Sequence, residues 1–234
     1  MIAVFKRELR SYLYSPVGYS YLFIFALVTG YIFWAANITL GSTDTLSYFA
    51  YIRYILIITI PLLAMKLFPE ERKNKTDQIL MTAPVNIWGI VMGKFLAAYV
   101  MFVIGLIPTV LNMFFLASVG YLEVGIVVGN YVGLLFVGAA FLAIAMLMSV
   151  MTESMITAFI MGAFSLAVFA VIDFIADSLN NTVVTKIVSA VSVTERYNEF
   201  NQGLFNISSL VYFLSLAVIF LFLTVRIIDK RRWS

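Results

Sequence analysis

The 234-residue sequence contains neither cysteine nor histidine. That excludes disulfides, thiolate chemistry, Cys/His zinc sites and the HExxH motif of metalloproteases. Charge is scarce too: 12% of the residues are charged and 63% hydrophobic, with a mean hydropathy of +1.02. A soluble domain is roughly half apolar and about a quarter charged. This chain has too little polar surface to cover a water-facing body, so lipid must be its main solvent. No linker, low-complexity tract or independently folding soluble segment interrupts it.

What is present is a set of six apolar stretches, at about 17–38, 48–68, 95–117, 127–150, 155–175 and 208–228. Each approaches the ~20 residues that cross the hydrocarbon as a helix. None alternates apolar and polar residues as a β-barrel strand does. The expected fold is therefore an all-α polytopic membrane protein, a single transmembrane domain over 1–234. The first stretch is expected to be a span rather than a cleaved signal, because it exceeds a usual signal core and more spans follow.

Orientation follows from the basic residues. Lys6, Arg7, Arg10, Lys66, Arg72, Lys73, Lys75, Lys94, Arg226, Lys230, Arg231 and Arg232 all fall on one side of a six-span topology; only Arg53, Lys186 and Arg196 fall on the other. Positive charge marks the cytoplasmic side, which places both termini and a loop at 69–94 in the cytoplasm. The net charge of +3 thus speaks for topology and not for a nucleic-acid partner.

Three segments stand out for function. In residues 2–14, Ile2, Phe5, Leu9, Tyr12 and Leu13 recur at helical spacing, with Lys6, Arg7 and Arg10 on another face. That pattern predicts an interfacial helix, or simply a charged anchor that sets topology. Pro16 ends it, since the residue before proline disfavours helix. The loop from Phe68 to Val85 holds the densest charge in the chain. Thr76-Asp77 there can cap a short helix through Ile79, Leu80 and Met81. A short helix with a charged entry and an apolar tip suits docking into a partner's groove; a solvated loop that only enforces topology fits equally well. Third, Gly125, Gly129 and Gly133 lie on one face of the fourth span, where another helix can approach, from within the chain or from a second subunit.

Other features exclude functions. Gly89-Ile-Val-Met-Gly93-Lys94-Phe95 resembles a P-loop superficially, but it has one residue too few between the glycines and Phe95 where Ser or Thr would hold Mg²⁺. The chain is not expected to bind ATP or any cofactor or metal itself. No carboxylate lies mid-span, as a proton- or sodium-coupled carrier usually requires, and no paired carboxylates or histidines suit an intramembrane enzyme. Pro61 and Pro108 are expected to kink spans two and three, with Thr109 and Asn112 turned from lipid. In the outer segment 176–207, Val183, Val184, Ile187, Val188 and Val191 predict a short amphipathic or re-entrant helix.

The sequence resembles the permease subunits of ABC-2-type transporters, most closely the gliding-motility-associated GldF family. The resemblance rests on Lys6 through Tyr12 with Ser15 through Tyr19, on Glu70 through Val85, on Gly93-Lys94-Phe95, on Phe200 through Gly203 with Val211 through Phe213, and on Lys230 through Arg232. It implies an elbow helix at 2–14 (Phe5, Lys6, Arg7, Leu9, Arg10), six spans of the type V exporter kind, and a coupling helix in 70–85. Glu70, Glu71, Arg72, Lys75, Thr76 and Asp77 would then meet a separate ABC ATPase subunit, with Ile79, Leu80 and Met81 in its groove. MgATP would sit on that partner, and a second permease subunit, identical or homologous, would complete the transporter in a bacterial inner membrane. A different reading, a non-transporting scaffold that passes ATPase strokes to an extracytoplasmic accessory protein, would use segment 176–207.

Overall fold

In the computed structural model of the chain, the described residues are 1–75, 86–120, 122–178 and 192–232, with side chains to 171 and from 192 to 231 in the last two. Among them the regular structure is helical throughout. The order is α1 (Ile2–Leu13), α2 (Pro16–Phe33, continued by a wider turn Trp34–Ile38), α3 (Thr45–Leu67), α4 (Pro69–Lys73), α5 (Ile87–Gly105), α6 (Ile107–Val119), α7 (Val124–Met151), α8 (Met155–Ser178), α9 (Val193–Asn201) and α10 (Ile207–Arg232).

Five stretches are long and apolar enough to cross a membrane: Pro16–Ile38, Thr45–Lys73, Ile87–Val119, Val124–Met151 and Ile207–Arg231. The chain is a multi-pass helical membrane protein by that measure. The described apolar part of α8, Met155–Val171, is shorter. The third span begins at Ile87 rather than near residue 95, so the expected loop at 69–94 is helical at both ends, as α4 and as the start of α5. Asn86 caps that start by accepting a hydrogen bond from the Trp88 N–H at 3.1 Å, which relieves a donor left over at the helix end.

Both prolines act, in different ways. Pro108 divides the third span, which stops at Gly105 and restarts at Ile107. Proline is tolerated in a first helical turn because its missing N–H would be unpaired there anyway. The Leu106 carbonyl, which accepts from the Thr109 and Val110 N–H groups of the new turn, also accepts from the Thr109 hydroxyl at 2.7 Å. Helix α3 instead continues through Pro61, whose ring rests where Gly162 of α8 leaves space.

Helix α7 is the axis of the bundle. It packs on α3, α5, α8, α9 and α10, and every residue from Ala140 to Leu147 is buried. A helix buried all round belongs in the interior. Between membrane helices, contact and hydrogen bonds replace the hydrophobic drive, so small residues set how closely backbones approach. Gly138 illustrates this: a Cβ there would lie 2.3 Å from the Phe102 ring of α5. Outward, Phe23, Leu27 and Tyr31 of α2, Leu111 and Phe114 of α6, and Ile156, Ile160 and Phe164 of α8 are exposed, a surface suited to lipid. Thr109 and Asn112 do turn inward, bonding the hydroxyls of Tyr131 (3.1 Å) and Tyr48 (3.0 Å).

Candidate functional site: an ion network at the basic end

The basic end of the bundle gathers α1, the end of α3, α4, the starts of α5 and α8, and the end of α10. Its centre is Lys94, which is wholly buried. An isolated ammonium in such surroundings is costly unless paired and hydrogen-bonded. Its Nζ lies 3.0 Å from a Glu71 carboxylate oxygen and 3.3 Å from one of Glu8, and donates to the Leu67 carbonyl at 2.6 Å. Arg7 completes the set, 2.5 Å from Glu71 and 2.6 Å from Glu8. Two cations and two anions are thereby balanced, one or two from each of α1, α4 and α5. Burial disfavours the Arg7 charge, yet the hydrogen bonds and charges of Glu8 and Glu71 outweigh it and raise its pKa.

A second tie joins α1 to α3. Lys66 donates to the Ser11 carbonyl (3.0 Å) and hydroxyl (2.8 Å) and lies 3.6 Å from Glu70. The buried Tyr12 phenol donates to the Leu63 carbonyl at 2.6 Å. Burial, with the nearby charges of Glu8 and Glu70, pushes that phenol well above its ordinary value.

Helix α1 is seated by glycines. Met1 and Val4 lie over Gly89 and Gly93, where a Cβ on Gly93 would come within 3.0 Å of Val4 Cβ. The P-loop-like segment is thus a groove for a helix, with the adjoining lysine as its electrostatic clamp. At the other end of α1, Ser15 caps α2 by accepting from the Gly18 N–H at 3.2 Å. Gly18 itself leaves no room for a side chain, since a Cβ would lie 2.1 Å from the Tyr12 carbonyl oxygen.

The expected amphipathic face of α1 is accordingly divided. Tyr12 is buried and Leu9 packs against the core, Phe5 is half-buried, while Ile2 and Leu13 remain exposed beside the outward charges Lys6 and Arg10. Of the residues expected to meet a partner, Glu71 is turned into the chain, and the Arg72 guanidinium donates to the Val150 carbonyl and to the Thr152 carbonyl at 3.1 Å. A cation at the carbonyl end of α7 is favourably placed. Glu70 is half-exposed, and Lys73 and Lys75 are exposed. Thr76, Asp77, Ile79, Leu80 and Met81 lie outside the described residues, as does the outer segment from 179 to 191.

Lys94 and Glu8 are the buried ion pair that sequence reasoning passed over. The signal was there: a lysine at the head of an apolar run needs a counter-charge, and Glu8 is the sole acid before Asp44. At the opposite end, α9 answers the glycine pattern of the fourth span. Gly129 and Gly133 receive Phe200, Tyr197 and Gly203 within the chain, whereas Gly125 is exposed with nothing within 4 Å of where its Cβ would stand. Asn130 accepts from the buried Tyr197 phenol at 3.0 Å, and Arg53 donates to Thr194 at 2.5 Å while lying 5.5 Å from the Tyr197 ring.

Among the described residues no three His, Cys, Asp or Glu side chains converge as metal ligands. No known family model matches the chain, and no curated protein matches it.

Proposed function

We propose that the chain is the membrane-spanning half of an ABC-type exporter, driven by a separate ATPase subunit that docks on the 70–85 segment. The reading includes six spans, with α8 as the fifth, both termini in the cytoplasm of a bacterial inner membrane, and a second permease half. It rests on the sequence resemblance, and one structural observation supports it. The Arg7–Glu8–Glu71–Lys94 network binds α1 to α4 and α5, the two helices that flank the 76–85 segment in sequence. A load applied there is transmitted to the third span and, through Lys66 and Arg72, to α3 and α7. Nucleotide binding in a partner can then bias one bundle arrangement only through such differential contacts.

The network also decides how to test the idea. Glu71 and Arg72 hold the chain together, so changing them confounds docking with folding. Lys73 and Lys75 are exposed, so their reversal is expected to leave the fold intact. The chain is co-purified in mild detergent with candidate ABC ATPase subunits from the same organism, as wild type and as the Lys73→Glu, Lys75→Glu variant. A complex with ATPase activity that the variant weakens supports the reading; a wild-type chain that recruits no ATPase counts against it. A complex that hydrolyses ATP in proteoliposomes without moving any lipid or amphipathic cargo favours the scaffold instead.

A further inference from the structure

A groove of about 370 Å³ opens at the basic end between the start of α5 and the end of α10, lined by Asn86, Ile87, Trp88, Phe222, Val225, Arg226 and Asp229. Arg226 and Asp229 are three residues apart on α10 and so share a face. Neither enters an ion pair with a described residue, although that spacing often allows one to the other. The Arg226 guanidinium instead lies over the Phe222 ring, 5.0 Å from its centroid. Phe222 in turn stands 6.2 Å from Trp88. The groove therefore offers one cation and one anion separately, between two aromatic rings.

We propose that this groove binds the headgroup of a zwitterionic phospholipid, with its phosphate at Arg226 and its ammonium at Asp229. The order along α10 matches the lipid. Towards the bundle centre, Val211, Leu214, Val218 and Ile219 form an exposed apolar stripe on the same helix, which suits an acyl chain. Arg226 comes next and Asp229 about 4.5 Å further out along the axis, the reach of the two-carbon link between a phosphate and an amine. The phosphate also lies toward the amino end of the 19-residue helix α5; the Trp88, Gly89 and Ile90 N–H groups there already bond Asn86, so this end contributes through its dipole alone. Trp88 is half-exposed at this level, where indole rings sit at a membrane interface, and its face attracts an ammonium. A lipid with phosphate but no amine satisfies only half of the site.

The test is native mass spectrometry of the full chain, delipidated in detergent and titrated with phosphatidylethanolamine or phosphatidylglycerol of matched acyl chains. The wild type is expected to retain one phosphatidylethanolamine in preference to phosphatidylglycerol. Arg226→Gln should weaken both by about tenfold, and Asp229→Asn should abolish only the preference. Equal binding of the two lipids by the wild type, or unchanged binding in both variants, overturns the proposal. So does free phosphoethanolamine binding as tightly as the lipid, which makes the ligand a soluble headgroup. A change of oligomeric state in the variants without loss of lipid also overturns it, because the groove is then a subunit contact. Should Arg226→Gln not fold, competition between the two lipids on the wild type decides alone.

Discussion

Lys94 Nζ lies 3.0 Å from Glu71 Oε2, joining two helices separated in the chain by the whole 74–86 connection. This contact holds the end of α4 against α5. With Glu8 it also makes the amino-terminal helix part of the same rigid end.

Removing one member of that network leaves a buried charge without its partner. Lys94→Met is expected to destabilise the chain by about 3–5 kcal/mol, and Glu71→Gln by less because Glu8 and Arg7 remain. Thermal unfolding in detergent measures both. A double-mutant cycle should give a coupling above about 0.5 kcal/mol; strict additivity would show that the pair does not interact.

Tyr12→Phe removes the hydrogen bond to Leu63 and should cost about 0.5–1.5 kcal/mol. The raised phenol pKa adds a pH dependence. A group whose folded pKa exceeds its unfolded value, 10.0 for tyrosine, stabilises the fold fully below that pH and progressively less as pH rises above it. Wild-type stability should therefore fall above pH 10.0, and Tyr12→Phe should flatten that fall. Parallel alkaline curves for the two proteins would refute the assignment.

The native absence of cysteine permits a clean cross-linking test of the α1 seat. Val4→Cys with Gly93→Cys is expected to form a disulfide on mild oxidation, because the Cβ positions nearly meet. Val4→Cys with a cysteine at Trp34, at the far end of α2, should not. Gly93→Leu, tested alone, should displace α1 and lower the melting temperature.

At the other end, Arg53→Ala should release α9 from α3. Amide exchange over 193–201 is expected to accelerate while exchange in α7 is unchanged. An unaltered pattern would assign the docking of α9 to Tyr197 and Phe200 alone.

Much of the architecture was legible. Long uncharged runs must be helices in lipid, because every backbone donor and acceptor has to pair within its own segment. Ser15-Pro16 marked the end of α1 for a local reason, proline's constraint on its neighbour. The start of the third span was not legible, since Trp88, Gly89 and Lys94 read as loop residues by polarity and spacing. In the structure Asn86 caps the helix there and Gly89 and Gly93 seat α1. Likewise Glu71 and Arg72 looked like surface charges within a dense cluster; their inward turn depends on Lys94 and on the carbonyl end of α7, neither of which is near in sequence.

The division has a physical cause. Composition and local backbone demands sufficed to show that the chain lives in lipid as helices, which end is basic, and that no disulfide or Cys/His metal site forms. Which charges are partners, which remain outward, and which glycines serve a neighbour inside the chain emerged with the packing. A charge's cost and a glycine's use depend on what lies a few ångströms away, and in a bundle those neighbours come from distant parts of the sequence.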